Sequence, residues 1–226
     1  MAAHPPSFAA PGPGRRFRWA LWAGVSLVGL AAVLGLLLVG RGNTPSSAGT
    51  PPASEAPGAT WAAGTALAPA FRLEDENGAP VSLSAFRGRP VIVTFIDPLC
   101  HDFCPIEARR LSDLVRSLPV ASRPAIVAVS VNVYGNARTT LSKDSREWQV
   151  APQWNWGVGT AAQLASVWKR YHIAVVATPK KVKGTIVHDV AHTEASYLID
   201  AAGYERALFL WPYREAAVAL ALKALG

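Results

Sequence analysis

The sequence predicts an α/β domain, a mixed β-sheet flanked by helices, preceded by one transmembrane helix. Three observations carry this. Residues Trp19 to Val39 form an unbroken uncharged run, about the 20 residues a helix needs to cross a bilayer core. Two short β-branched runs, Val91-Ile92-Val93-Thr94-Phe95-Ile96 and Ala125 to Val131, are each followed by apolar residues at helical spacing. The chain then closes with a strand–turn–strand pattern and an apolar helical segment, so strands and helices alternate before a terminal hairpin and helix.

Composition divides the chain into four parts. Residues 1–18 begin with a Pro-, Ala- and Gly-rich stretch (MAAHPPSFAAPGPG) that reads as a disordered cytoplasmic tail. Residues 19–39 are the anchor. Arg15, Arg16 and Arg18 precede it and only Arg41 follows closely, a bias that keeps the N-terminus cytoplasmic and carries the rest across the membrane. The run is longer than the apolar core of a signal peptide, and Gly40-Arg41-Gly42-Asn43 after it is no small-x-small cleavage site. Residues 40–64 are Pro, Ala, Ser and Gly with little to bury, a flexible linker. Residues 65–226 form one domain of ordinary size.

The formal charge is +7 over 226 residues, but residues 1–64 hold four Arg against one Glu, and the remainder keeps 18 basic against 14 acidic residues. That mild excess, on the far side of a membrane, argues against nucleic acid as a partner. Its one local cluster, Lys180, Lys181 and Lys183, reads as a solvated loop, with a docking patch for an acidic partner as the sharper alternative.

The elements follow in order. Phe71, Leu73, Val81 and Leu83 flank Asn77-Gly78, a hairpin signal. Residues 91–96 are too short for a helix and read as a central buried strand. Ile106, Leu111, Leu114, Val115 and Leu118 have helical spacing, Ala125–Val131 is a second buried strand, and helices are expected over Thr139–Trp148 and Ala161–Tyr171. Ala195–Asp200 and Ala207–Leu210 around Ala202-Gly203 form a hairpin, and Arg214–Leu225 a closing helix.

The only two cysteines, Cys100 and Cys104, sit four positions apart where the first strand turns into a helix. Outside the cytoplasm such a pair is used for thiol–disulfide exchange or for capture of a soft metal, since both need two converging thiolates. Pro105 fits a helix starting at Cys104, and the N–H groups and dipole at that end stabilise a thiolate. A structural disulfide here would close only a short loop and add little stability.

Three segments carry a family resemblance. Cys100-His101-Asp102-Phe103-Cys104-Pro105 is similar to the Cys-x-x-x-Cys-Pro of the Sco/SenC copper chaperones. Val129-Ser130-Val131-Asn132 falls where that family has a strand ending in Ser-Val-Asp, and His192-Thr193-Glu194-Ala195-Ser196-Tyr197-Leu198-Ile199-Asp200 resembles its His-Thr/Ser segment leading into Tyr-Leu-Ile-Asp. The resemblance implies a thioredoxin-like domain that delivers copper to the copper A centre of cytochrome c oxidase, or reduces its cysteines, with Cys100, Cys104 and His192 as copper ligands. Two thiolates and an imidazole suit Cu(I) and can hold Cu(II). Departures are His101 where the family commonly has Pro, Ile96-Asp97-Pro98 where Gly is usual, and Asn132 for Asp. His188 is the main competitor of His192, His101 is expected to point to solvent, and His172 to cap a helix end.

The rival reading is an extracytoplasmic thiol–disulfide oxidoreductase or peroxiredoxin-like protein on the same fold. Three residues rather than two separate the cysteines, Leu99 stands where Trp is usual, no proline lies near Glu194, and Asp97 replaces the threonine of a peroxidatic site.

Overall fold

The computed structural model describes residues 53–225. The tail and the anchor over 19–39 lie outside the described residues, as does most of the expected linker. Among the described residues no helix is long and apolar enough to cross a membrane.

A six-stranded sheet forms the centre. Its strands are β1 (Ala59–Thr60), β4 (Val91–Ile96), β5 (Ala125–Ser130), β6 (Trp154–Gly157), β9 (Ala195–Ile199) and β10 (Glu205–Leu210), in the order β1-β10-β9-β4-β5-β6. Strands β4, β5 and β6 run parallel, while β9 is antiparallel to β4, β10 to β9 and β1 to β10. Two hairpins stand apart: β2 (Arg72–Glu74) with β3 (Pro80–Ser82), and β7 (Val175–Val182) with β8 (Thr185–His192). The helices are α1 (Phe103–Ser117), α2 (Arg138–Glu147), α3 (Ala161–Arg170) and α4 (Glu215–Lys223).

Every residue of β4 and β5 is buried because the sheet is covered on both faces. Side chains of a strand alternate between faces. Ile92, Ile96, Ile126 and Ala128 therefore meet Leu111 and Val115 of α1, Leu141 of α2 and Val218 of α4. Val91, Val93, Phe95, Val127 and Val129 meet Leu164 and Val167 of α3, the β2–β3 hairpin and Tyr197. On α1 the inward stripe is Cys104, Glu107, Ala108, Leu111, Leu114 and Val115, the three-and-four spacing of an amphipathic helix. Helix α3 opens with a capping box, Thr160 accepting from the Gln163 N–H while the Gln163 side chain accepts from the Thr160 N–H. His172 follows the end of α3 with φ 56° and donates its N–H to the Lys169 carbonyl, the helix-end place expected for it.

Two expectations need correction, and one strand was not foreseen. Residues 53–64 are not all linker, since Ala59–Thr60 pair with β10 and Ser54 bridges to Tyr213. Strand β6, with Trp154 and Trp156 in the core, falls in a stretch whose four residues are too few to show a period. Lys180 and Lys181 lie on strand β7 rather than on a loop, Lys183 lies in the turn between β7 and β8, and all three are exposed as expected. The hairpin turns at Lys183-Gly184, both with positive φ (47° and 87°), the backbone of a two-residue turn matched to strand twist.

Leu111 is 0% exposed at the meeting of α1 with the sheet, whereas Val120 is 77% exposed. Leu111→Ala is expected to lower the unfolding free energy by about 2–5 kcal/mol, read from the denaturant midpoint at unchanged slope, while Val120→Ala leaves the midpoint in place.

Candidate metal centre

The site is assembled where β4 ends and β9 begins. The antiparallel register pairs Thr94 with Ser196 and Ile92 with Leu198. Continued past the ends of the two strands, the same register carries His192 alongside Pro98, two residues before Cys100. The segment leaving β4 is shaped by Asp97, whose Oδ1 accepts the Leu99 N–H at 2.8 Å while its carbonyl accepts the Cys100 N–H at 3.1 Å. Such an Asp-initiated turn needs no glycine of its own. A glycine is needed opposite it, because a Cβ on Gly135 would lie 2.9 Å from Pro98 Cβ.

Cys100 is half-buried and Cys104 buried at 2% exposure, and both are free thiols. The Asp102 side chain makes no cap at the start of α1. The Cys100 sulfur takes that place. A hydrogen bond from the Cys104 thiol lowers the Cys100 pKa most, burial opposes it, and the N–H groups of Cys104, Asp102 and Phe103 lower it further, to about 5. Cys104 is pushed up, by sharing that hydrogen bond, by burial and by the charge of Cys100. The helix start therefore stabilises the thiolate of Cys100, one turn outside the helix, rather than that of Cys104.

His192 is half-buried. Its Nδ1 lies 3.1 Å from the Thr193 carbonyl oxygen. A carbonyl can only accept, so Nδ1 is the donor in this contact, which leaves Nε2 as the nitrogen available to a metal. Cys100, His101, His188, His192 and Glu194 line a single cavity of about 430 Å³. Among the described residues, no three His, Cys, Asp or Glu side chains are already gathered closely enough to hold a metal ion. His101 is exposed, as expected. Alternation along β8 turns His188 to the same face as His192, but His188 stacks on Tyr134 with ring centroids 3.9 Å apart and planes 6° from parallel. Asn132, in place of the family's Asp, presents Tyr134 by accepting its N–H on Oδ1 at 3.1 Å.

Sequence reasoning did not single out the carboxylates here. Burial raises the pKa of Asp97 against the Leu99 N–H, which lowers it. Burial first, then the charges of Glu107 and Cys100, push Glu194 up to about 7. Glu107, 2% exposed, is raised by burial against hydrogen bonds from Ser196, Thr94 and Tyr213. A glutamate on the apolar stripe of α1, one turn after Cys104, was the available signal.

This arrangement, a soft donor pair at a helix start with one sulfur sharing a cavity with an oriented imidazole, suits a monovalent soft cation or thiol exchange. No functionally curated protein matches the chain. Solved structures do. ScoI of Bradyrhizobium japonicum, solved with copper bound, is 23% identical with a TM-score of 0.61, over 71% of this chain and 100% of that one. ScoI of Arabidopsis thaliana, also solved with copper bound, is 18% identical with a TM-score of 0.61, over 70% and 98%. BsSco, a member of the Sco family of cytochrome c oxidase assembly proteins in which a disulfide switch was identified, is 19% identical with a TM-score of 0.56, over 71% and 93%. At such identities the likeness speaks for the fold, a thioredoxin-like arrangement with a central mixed sheet. The SCO1/SenC family model matches residues 60–225. The chain belongs to the SCO1/SenC family.

Proposed function

We propose that this protein is a membrane-anchored, extracytoplasmic copper carrier. In this reading it binds Cu(I) through Cys100, Cys104 and His192 and passes it to a cuproprotein, the copper A subunit of cytochrome c oxidase being the proposed client. The observation that carries the reading is the shared cavity of Cys100 and His192, with the imidazole already oriented by Thr193. Copper is cargo here, and the chain's own groups supply the handling. Cys100 offers a thiolate at neutral pH, Cys104 gives up its proton as the ion is taken, and closure of the His192 segment completes the set. Cys104 is buried, so exchange with a client thiolate begins at Cys100. Anchorage by residues 19–39 and the copper-bound Sco structures are consistent with this placement and cargo.

The depressed Cys100 pKa supports a second use of the same pair, reduction of a client disulfide. Cys100 thiolate attacks one client sulfur and expels the other as thiolate. Cys104 then attacks Cys100, frees the second client thiol and leaves a Cys100–Cys104 disulfide, so two electrons have passed to the client.

On the full chain, His192→Ala is expected to weaken Cu(I) binding by at least the roughly 10–100-fold that loss of an outer-shell partner costs, measured by competition with a chromophoric chelator. Unchanged affinity removes the histidine from the site, and a wild type that binds no Cu(I) while reducing disulfides leaves only the second use. Alkylation of reduced Cys100 follows the thiolate. Its rate is expected to hold as pH falls from neutrality and to halve near pH 5, whereas an ordinary thiol would titrate near 8.5; a midpoint above about pH 8 contradicts the site geometry.

A further inference from the structure

Beneath the cavity lies a closed polar cluster that the copper reading leaves unused. Glu107 Oε1 accepts hydrogen bonds from Thr94 Oγ1, Ser196 Oγ and Tyr213 Oη, each at 2.9 Å. Ser196 Oγ also lies 3.0 Å from Thr94 Oγ1 and 3.1 Å from Tyr213 Oη. All four side chains are buried. A carboxyl group in such a place costs free energy that an apolar residue of similar volume would not, so overall stability is a poor reason for it.

Its partners suggest a better one. Thr94 is on β4, which runs directly into the Cys100 turn. Ser196 is on β9, four residues after His192, and pairs with Thr94 across the sheet. Tyr213 stands just before α4, on a segment whose Trp211 N–H donates to the Glu194 carbonyl at 3.0 Å. Glu107 itself is one turn beyond Cys104 on the same face of α1. One oxygen atom thus joins the segments that carry all three proposed ligands.

We propose that Glu107 is a positioning residue, a carboxylate clamp that fixes the Cys104 turn of α1 against β9 and so sets how the two sulfurs and His192 face one another. The part of this that concerns copper rests on the function proposed above, whereas the part that concerns the thiol pair does not.

The test compares Glu107→Leu, which keeps the volume and removes the acceptor, with Glu107→Gln, which keeps an acceptor oxygen, both in the full chain. Three quantities are read: the unfolding midpoint, the equilibrium of Cys100–Cys104 with a dithiothreitol redox buffer, and Cu(I) affinity. In the redox arm, oxidised protein takes two electrons and two protons from the dithiol reagent, whose own disulfide forms. Glu107→Leu is expected to lower its unfolding midpoint, because buried hydroxyls lose their acceptor, yet to fold, because α1 and α4 stay joined through Leu111, Val218 and the Arg110–Glu215 pair. It is expected to shift the thiol equilibrium toward the dithiol by about tenfold, or about 30 mV, and to weaken Cu(I) binding by about 10–100-fold. Glu107→Gln stays within about threefold of wild type in both, that is, within about 0.7 kcal/mol.

Equal shifts in the two variants would assign the effect to charge and overturn the clamp, as would no shift in either. If Glu107→Leu does not fold, Ser196→Ala and Tyr213→Phe each remove a single donor and are expected to move the thiol equilibrium in the same direction by a smaller factor; an unmoved equilibrium in both overturns the proposal. A wild type without Cu(I) affinity defeats the copper reading alone, and the redox arm still decides the role of Glu107.

Discussion

The antiparallel pairing of β9 with β4 is the constraint on which the site depends. Strands β4, β5 and β6 are parallel, so the segments leaving them emerge at one end of the sheet. A fourth parallel strand beside β4 would send its preceding segment to the opposite end. Because β9 runs the other way, the residues before it arrive at the end where β4 leaves, and His192 reaches the cysteine turn from a distance of some ninety residues in sequence. The Thr94–Ser196 register also decides which face each side chain takes, since a one-residue slip of β9 would turn the Ser196 hydroxyl away from Glu107. Strand direction brings the donors to one end, and register determines what supports them.

Electrostatics at that end divide along the helix. The first N–H groups of α1, left without an Asp102 cap, are directed at a sulfur one turn earlier. This separates the two thiols by role before any ligand arrives, one ionised at the mouth of the cavity and one protonated in the core. Around them sit three carboxyls, Asp97, Glu107 and Glu194, all raised chiefly by burial. Of the groups at the cavity, Cys100 is the one shifted toward its ionised form, which favours a single cation or a single electrophilic sulfur as the visitor.

Much of this was legible in the residues. Strands β4, β5 and β9 are short, largely apolar runs, buried along their whole length, and their limits could be read within a residue. Helices α1 and α3 showed their stripes, and Cys100, Cys104 and His192 were named as candidates from pattern and resemblance. What escaped was either too short or stabilised by something other than a period. Strand β1 is two residues in a Pro- and Ala-rich stretch, ordered by the edge of β10. Strands β7 and β8 are exposed along most of their length, so no apolar alternation marks them. The middle of their hairpin is held by the stack of His188 on Tyr134, a contact between residues 54 apart in sequence. The Glu107 cluster draws on four separate segments, and only its glutamate, standing on an apolar helix face, hinted at it.

The two-residue strand β1 has a bearing on how the rim of the sheet is covered. Without it, β10 would present a row of unpaired amide and carbonyl groups along the rim of the sheet, next to the exposed Leu210 side chain, and such rims template edge-to-edge aggregation. Ala59 and Thr60 cover part of that rim, and Gly58 and Trp61 extend the cover by donating their N–H groups to the Leu208 and Arg206 carbonyls. A protein trimmed to begin at Thr65 would shed this guard together with Trp61, which stacks on Tyr197, and would leave the β10 rim open to a second sheet.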